Sequence, residues 1–350
     1  MPRVRYPEAA AAAVGDIGAA DLRIEDEQVA AYVFTSGSTG APLPYRKSWG
    51  PLVACVRLEA ECLELRGAEV IVGTVPPQHM YGFESTVLLA LQSGCAFSAG
   101  RPFYPADICA ELSALPEPRV LVSTPVHLRT LLATGVPLPR TAMVLSATAP
   151  LSQKLAREVE QRFHTRLLEI YGSTETGQIA SRRTSATPEW QLFSGVGLSI
   201  DGEQVWAEGG HIEQRTPLCD VLELTRPGGF LLHGRLSDLV NIAGKRSSIG
   251  YLDHQLQAIP GVRDGAFFIR YEEGESATGI SRVAALAVAP TLDAATILQQ
   301  LRERIDPVFL PRPLLLVDAL PRNHTGKLPR EALLELAGAA LRRIPAHERR

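Results

Sequence analysis

Residues 167–175 read Leu167-Leu168-Glu169-Ile170-Tyr171-Gly172-Ser173-Thr174-Glu175, an apolar run that ends in glycine, two hydroxyls and a carboxylate. The first five residues have the composition of a short β-strand. Ligands of open α/β sheets gather at the carboxyl ends of strands, so the polar residues that follow are well placed to bind one. Thr174 offers a hydroxyl to a phosphate oxygen, and Glu175 offers the carboxylate that Mg²⁺ prefers. Taken alone, these residues also fit a capped turn between a strand and a helix.

This stretch ends a longer alternation of strand-like and helix-like segments that begins near residue 48. Short runs rich in aliphatic and β-branched residues predict strands, and the segments between them predict helices. The predicted strands are Glu69–Val75, Arg119–Thr124, Ala142–Ala147 and Leu167–Tyr171, and the predicted helices are Phe83–Leu91, Val126–Ala133 and Leu151–Phe163. The alternation predicts an α/β fold whose large N-terminal domain holds a mostly parallel, helix-covered sheet.

Beyond Gly234 the pattern becomes that of a smaller α+β unit. Its predicted elements are a helix at Tyr251–Ala258, strands at Ala266–Tyr271 and Val283–Val288, a helix at Ala294–Ile305, a strand at Leu314–Val317 and a helix at Glu331–Leu341. We place the boundary at Arg235–Asp238. The prediction is therefore an N-terminal domain of residues 1–235 and a C-terminal domain of residues 236–350.

Composition excludes several classes of protein. The 350 residues are 45% hydrophobic with a net charge of −3, which favours a globular protein and gives no basic surface for nucleic acid. No apolar run reaches the roughly eighteen residues of a membrane helix, and we expect neither a signal peptide nor a membrane partner. The five cysteines lack CxxC spacing, so a reducing cytoplasm is the expected location.

A second polar loop, Thr35-Ser36-Gly37-Ser38-Thr39-Gly40, follows an apolar segment near the N-terminus. Gly37 and Gly40 can take positive φ and bring backbone N–H groups to an anion, and the hydroxyls add further donors. No Gly-Lys-Ser/Thr follows, which excludes a Walker A loop, and no third glycine completes a dinucleotide fingerprint. By itself the loop fits an ordinary connection between strands equally well.

With two later segments, these loops resemble the adenylate-forming acyl-ligase superfamily of acyl-CoA synthetases, peptide-synthetase adenylation domains and luciferases. Thr35–Pro42 is similar to its phosphate loop, and Tyr171–Glu175 is similar to its Tyr-Gly-x-Thr-Glu motif. The third match is Asp220, followed fourteen residues later by Gly234-Arg235-Leu236-Ser237-Asp238, and the fourth is Leu320–Lys327. Each residue taken singly also fits a surface turn or a solvated charge. All four matches occur along the chain in the order that the family has, and this favours the resemblance.

The resemblance implies ATP and Mg²⁺ as cofactors and assigns roles to the matching residues. It implies that Lys327, Thr174 and Glu175 are catalytic, that Glu175 also holds the metal, and that Asp220 binds the ribose. Further nucleotide-binding residues implied in this way are Thr35, Ser36, Gly37, Ser38, Thr39, Gly40, Ala147, Thr148, Tyr171, Gly172, Ser173, Arg235 and Arg246.

The resemblance places the acyl pocket beside a His-x-x-Gly segment, and Ser146–Pro150 resembles the strand end that faces adenine in the family. The candidate residues of the acyl pocket are His79, Tyr81, Phe83 and Ser146. The first three are expected to form an aromatic wall. The alternative is that Tyr81 and Phe83 are core residues at the start of a helix.

The family's chemistry explains these residue types. A carboxylate attacks the α-phosphate of ATP and leaves as an acyl-adenylate and pyrophosphate, and the transition state gathers negative charge. Loop amides, Mg²⁺ on Glu175 and the Lys327 ammonium would stabilise that charge. Rotation about Ser237–Asp238 would then withdraw Lys327 and admit a thiol. Asn241–Arg246 lies where the family has a loop that lines the thiol tunnel.

Two features depart from the family pattern. Family members are usually longer before the phosphate loop, so we expect an N-terminal subdomain to be missing. Leu43 and Pro44 stand where acyl-CoA synthetases have lysine and glycine. With the two-residue period of a strand, Lys47 points to the same side as residue 43 and is the predicted substitute.

The chain looks most similar to short ligases of aryl-polyene and xanthomonadin pigment synthesis. That similarity implies a hydroxybenzoate or another small carboxylic acid as substrate and the phosphopantetheine of an acyl carrier protein as acceptor. Basic residues offered for docking are Arg342, Arg343, Arg349 and Arg350. Alternatives are an acyl-CoA or aryl-CoA ligase and a non-catalytic adenylate- or carrier-binding protein. A homodimer is the expected assembly.

Overall fold

A computed structural model describes residues 23–36, 42–202, 204–235, 239–242, 245–270, 282–322 and 328–343. In chain order its strands are β1 (Val29–Ser36), β2 (Pro42–Ser48), β3 (Val70–Gly73), β4 (Ala96–Phe97), β5 (Arg119–Ser123), β6 (Met143–Ser146), β7 (Arg166–Ser173), β8 (Gly177–Arg182), β9 (Trp190–Leu192), β10 (Val196–Asp201), β11 (Gln204–Gly209), β12 (Thr216–Leu218), β13 (Asp220–Arg226), β14 (Gly229–Arg235), β15 (Leu239–Ile242), β16 (Lys245–Ser248), β17 (Asp264–Arg270), β18 (Arg282–Val288) and β19 (Leu314–Leu316).

The helices follow the same numbering. They are α1 (Trp49–Leu63), α2 (Met80–Gly82), α3 (Leu89–Ser93), α4 (Pro105–Ala114), α5 (Pro125–Thr134), α6 (Gln153–Phe163), α7 (Ile249–Gln257), α8 (Ala294–Arg302) and α9 (Arg330–Arg343), with a π-helix at Phe83–Leu88 and a 3₁₀-helix at Pro307–Phe309. No helix of the described ranges is long and apolar enough to cross a membrane.

The central sheet has nine strands in the order β13-β14-β9-β8-β7-β6-β5-β3-β4. The five strands β3 to β7 are parallel, which confirms the predicted fold class. The other four extend the sheet in antiparallel register from β8 onward. The sequence did not predict this half, whose strands follow one another without helices in the described residues.

Helices cover both faces of the parallel strands. Neighbouring residues of a strand point to opposite faces, so Ile71 packs toward α1 and α3 whereas Val72 packs toward α4, α5 and α6. Gly94 and Gly135 end α3 and α5 at positive φ, as the sequence predicts. The first helix of the His-x-x-Gly segment begins at Met80 rather than Phe83, because the His79 side chain caps it by accepting the Tyr81 N–H.

The chain after residue 239 builds a separate core. Sheet β17-β18-β19 packs α7 and α8 on one face, around Leu256 and Ile297, and α9 on the other, around Leu333. Neither of these two hydrophobic clusters includes a residue before Val240. The domain boundary at Arg235–Asp238 stays a prediction, because residues 236–238 lie outside the described ranges.

Candidate active site

The predicted metal-binding motif forms a tight turn at the carboxyl end of β7, in the middle of the central sheet. Thr174, Glu175 and Thr176 join β7 to β8 in an antiparallel hairpin, not in a turn to a helix. Ser173 and Thr176 lock the turn from inside: the Ser173 N–H donates to Thr176 Oγ1 at 3.2 Å, and the Thr176 N–H donates to Ser173 Oγ at 3.1 Å. Thr176 is buried and Glu175 is exposed, so the carboxylate faces outward, where a ligand can reach it.

Two glycines make this hairpin possible. A Cβ on Gly172 would collide with the carbonyl oxygen of Gly177 on the opposite strand. Gly177 has a φ of +70°, a conformation that other residues adopt only with strain. The motif glycine Gly172 is therefore required by cross-strand packing, whatever it does toward a nucleotide.

Tyr171 and Asp220, predicted separately from two motifs, meet directly. The Tyr171 hydroxyl donates to Asp220 Oδ2 at 2.7 Å. The Tyr171 ring packs against both Trp190 and Phe230, with each ring centroid 5.6 Å away. Asp220 opens β13 opposite Arg235, which ends β14. The register thus brings the predicted ribose ligand and the predicted hinge arginine to the same end of the sheet as the motif turn.

Lys47 also reaches the motif turn. Its Nζ donates to the backbone oxygen of Glu175 at 3.3 Å. Leu43 and Lys47 both lie on β2, and Thr35 pairs with Leu43 across the β1–β2 hairpin. Thr35 and Ser36 end β1, so the phosphate loop connects two adjacent antiparallel strands.

Several predicted residues lie outside the described ranges. These are Gly37, Ser38, Thr39 and Gly40 of the phosphate loop, the hinge residues Ser237 and Asp238, and the predicted catalytic Lys327. For Arg246 the backbone is described, on β16 opposite Asn241 in the β15–β16 hairpin. The roles of all these residues stay predictions.

The strand end predicted to face adenine follows β6. Thr148 has a φ of +76° in the turn that leaves the strand. Ala147 and Ser146 are buried, and Ser146 is fully inaccessible to solvent. Thr148 is therefore the member of this segment with a backbone conformation unusual enough to suggest a functional turn, since strain in non-glycine residues clusters at such sites.

The aromatic wall predicted from His79, Tyr81 and Phe83 does not form. Tyr81 packs in the core cluster under the central sheet, whereas Phe83 packs against Leu52 and Met80 in a different cluster. Residues two apart on a helix do not share a face, which separates the two rings. The alternative, that Tyr81 and Phe83 are core residues, is the one that fits.

Sequence reasoning missed a buried polar cluster behind the turn. Burial raises the pKa of Glu59 to about 8 and that of Glu84 to about 7, and in Glu84 nearby Lys47 partly opposes the effect. Burial also raises the pKa of the Cys55 thiol, and the Glu84 carboxyl adds to this. A glutamate inside an otherwise apolar helical pattern, as at both positions, was the available signal.

His211 was missed as well. It lies directly after β11, is buried, and hydrogen-bonds the Thr176 carbonyl through Nε2 at 2.9 Å. It follows Gly209 and Gly210, both at positive φ. A histidine after two glycines carries no motif that would mark it in the sequence.

The site suits a metal that arrives with a substrate. Among the described residues, no group of three or more His, Cys, Asp or Glu side chains could hold a metal ion. Mg²⁺ is commonly held by one or two carboxylates together with substrate phosphates, so the exposed Glu175 carboxylate fits that arrangement.

Comparison with known proteins agrees with this geometry. The sequence pattern of the AMP-binding enzyme family matches residues 5–206, more than half of the chain. The chain belongs to this family. Membership in the AMP-binding enzyme family confirms the predicted superfamily and, with it, the predicted enzyme class of AMP-forming ligases.

Individual relatives are more distant. The chain is 29% identical to a 4-coumarate–CoA ligase of Rhodobacter capsulatus over 69% of this chain and 61% of that protein. It is 26% identical to an L-proline–[L-prolyl-carrier protein] ligase of Pseudomonas fluorescens over 89% and 69% of the two chains. The structure of ATP-bound MatB from Rhodopseudomonas palustris matches 90% of this chain and 69% of its own, with a TM-score of 0.77 at 20% identity. The chain thus spans about 60 to 70% of the length of these three proteins.

Proposed function

We propose that this protein uses ATP to activate a small carboxylic acid as its acyl-adenylate and then transfers the acyl group to a thiol. The observation that carries the proposal is the convergence of three predicted elements at one end of the sheet. The Tyr171–Glu175 motif, Asp220 and Lys47 come from three separate segments of the chain, yet they are linked by the contacts at Glu175 and Asp220.

The charge and hydrogen-bonding group of each side chain would determine which part of MgATP it contacts. Asp220 would accept hydrogen bonds from the ribose, and Thr174 would donate to a phosphate oxygen. Glu175 would hold Mg²⁺, which supplies charge neutralisation at the phosphates. Lys47 would add a positive charge where Leu43 provides none. Positioning and electrostatics of this kind are what a displacement at phosphorus needs, and no general base is required.

Lys327 completes the first half-reaction in this proposal. Its ammonium would contact the substrate carboxylate and the α-phosphate, since a lysine is a compact charge that can reach two anions. Rotation of the C-terminal domain about residues 237–238 would then withdraw it and bring Arg246 and its hairpin to the thiol path.

For the substrate and the acceptor we propose an aromatic acid of the hydroxybenzoate type and the phosphopantetheine of an acyl carrier protein. The relative named for 4-coumarate supports the aromatic acid, and the relative named for a prolyl-carrier protein supports the carrier-protein acceptor. Arg342 is exposed on α9 and would contribute to docking an acidic carrier protein. An acyl-CoA ligase is the second candidate, supported by the relatives named as CoA ligases. A homodimer in a reducing cytoplasm stays part of the prediction, and light scattering on the purified protein tests the dimer.

ATP–pyrophosphate exchange, scanned over hydroxybenzoates, cinnamates and short fatty acids, tests the adenylation step. We expect exchange with at least one aromatic acid. Absence of exchange with every acid would favour the non-catalytic adenylate- or carrier-binding alternative.

Acceptor choice needs a separate assay with the acid identified in that scan. We expect a mass shift on holo carrier protein and none on the apo form, which lacks the thiol. Formation of the CoA thioester with no modified carrier protein would replace the carrier proposal by the CoA ligase.

A further inference from the structure

Side chains from three distant elements donate to backbone carbonyls of the motif turn and the strand it enters. Lys47 on β2 donates to the Glu175 oxygen, and His211 after β11 donates to the Thr176 oxygen. The Cys55 thiol on α1 donates to the oxygen of Gln178, at 3.7 Å. The backbone that carries Glu175 is thus held by side chains from outside the hairpin as well as by the hydrogen bonds between β7 and β8.

The His211 bond fixes which ring nitrogen carries the proton. Thr176 offers a carbonyl oxygen, which only accepts, so Nε2 must be the N–H. Burial lowers the pKa of His211 below its ordinary value of 6.5; the bond to Thr176 opposes this in part, and the charge of Lys47 adds to it, so the neutral ring is favoured near pH 7. Nδ1 is buried and has no hydrogen-bond partner within the described part of the chain. Nε2 is therefore the atom through which His211 acts.

Packing around Gly177 leaves this arrangement little room to shift. A Cβ placed on Gly177 would lie 3.2 Å from His211 Nε2, 3.2 Å from Cys55 Sγ and 3.3 Å from Glu84 Oε1. All three side chains are buried. The glycine between them lets the turn lie directly against the histidine.

We propose that His211 is a positioning residue that, beside the Lys47 contact, holds the Thr174–Glu175 turn in the geometry needed to bind MgATP. The inference rests on the proposed function. Its physical reason is that Thr174 and Glu175 project from a turn of a few residues, and the carbonyls of that turn are fixed by two side-chain donors. Misplacing a reacting group by about 1 Å is enough to cost on the order of a hundredfold in rate.

Two substitutions at His211 separate positioning from simple loss of packing. In His211→Gln the side-chain amide nitrogen reaches roughly the place of Nε2 and can still donate to Thr176. In His211→Asn the amide nitrogen reaches only the place of Nδ1, so the bond is lost. His233→Asn is the matched control, because His233 is an exposed histidine that bonds Glu223 on the neighbouring strand.

We expect His211→Asn to bind MgATP about tenfold more weakly in calorimetry, because the turn released by the lost bond must be ordered again on binding, at a cost comparable to one buried hydrogen bond. It should also need a higher Mg²⁺ concentration for half-maximal pyrophosphate exchange. The Michaelis constant for the acid should not change. His211→Gln and His233→Asn should stay within about twofold of the unsubstituted protein in both measurements.

Wild-type affinity for MgATP in a folded His211→Asn variant would overturn the proposal. An equal loss in His211→Gln and His211→Asn, accompanied by equal loss of thermal stability, would also overturn it, because that pattern indicates packing alone. The calorimetric measurement requires no turnover. If the unsubstituted protein binds MgATP but exchanges no pyrophosphate with any acid, the proposed function fails. The positioning role of His211 is then still tested, because the MgATP affinities of His211→Asn and His211→Gln can be compared by calorimetry.

Discussion

Lys47 is the residue whose position most changes the interpretation of the phosphate loop. The loop lacks the usual lysine at position 43, and the structure brings Lys47 to the Glu175 backbone from the same strand. A positive charge at the motif turn is therefore available without a lysine in the loop itself.

Lys47→Ala should raise the Michaelis constant for ATP and lower the turnover of pyrophosphate exchange, each by about tenfold or more, since a charge-assisted contact is lost. Lys154→Ala, at an exposed position on α6, is the control and should leave both constants unchanged. If both constants are unchanged in Lys47→Ala, Lys47 does not take the role of the lysine that the family has at position 43.

The buried pair Glu59 and Glu84 predicts how stability depends on pH. Both carboxyls have a folded-state pKa above the ordinary value of 4.5, at about 8 and about 7, chiefly through burial. The neutral forms are favoured by folding, so their contribution is full below pH 4.5 and is lost as pH rises through 7 and 8.

Glu59→Gln should therefore flatten the fall in melting temperature between pH 6 and pH 9. At pH 9 the variant should be more stable than the unsubstituted protein, because no buried charge has to form. The exposed Glu158→Gln on α6 serves as control and should follow the parent curve. A steeper fall in Glu59→Gln would contradict the assignment.

At the scale of the element, strand β7 is held by a carboxylate that the motif comparison passes over. Glu169 is buried and pairs with Arg182 of β8 at 2.7 Å, and it accepts from the Thr184 hydroxyl and from the Leu151 N–H. The Arg182 guanidinium also covers the Trp190 ring at 4.2 Å. This one side chain joins the motif strand to the next strand and to the segment before α6.

Glu169→Gln should lower the free energy of unfolding by about 3 kcal/mol or more, because Arg182 would be left as a partly buried, unpaired charge. Urea unfolding measures this. Glu64→Gln removes the partner of Arg166 in an exposed pair and should cost less than about 1 kcal/mol. If Glu169→Gln and Glu64→Gln lower the free energy of unfolding by similarly small amounts, Arg182 is hydrated in the variant and the expectation is wrong.

Elements with a strong local signal could be predicted from the sequence, and contacts between distant segments could not. Helices ending at Gly94 and Gly135 and the strands of the parallel sheet follow from periodicity and stop signals. The hairpin at Thr174–Thr176 and the bond from His211 depend on tertiary packing. The aromatic wall was wrong because helix geometry, which the motif does not encode, points Tyr81 and Phe83 to separate cores.

At the scale of the whole molecule, a polar contact between α5 and α7 joins the two cores, beside the packing of α7 on β14. Arg129 on α5 donates to Gln257 on α7 at 3.5 Å, and burial lowers its pKa. A single polar bond of this kind is worth about 1 kcal/mol, which a domain rotation can give up and regain.

Lys327→Ala should slow adenylation by about a hundredfold or more, because the charge at the reacting phosphate is removed. Transfer of the acyl group from supplied acyl-adenylate to the thiol should be nearly unaffected, since the proposed rotation withdraws Lys327 before the thiol reacts. Arg330→Ala, on the first residue of α9, is the control for loss of a nearby charge. Equal losses in both half-reactions would contradict a two-state mechanism.

The β1–β2 hairpin forms a two-stranded sheet of its own, apart from the nine-stranded sheet. An isolated pair of strands is only marginally stable in water. Amide hydrogens of β1 and β2 should therefore exchange with deuterium through local opening, long before those of β5 and β6. Bound nucleotide would tie the hairpin to the central sheet, so slower exchange in β1 and β2 would report occupancy of the site without any enzymatic assay.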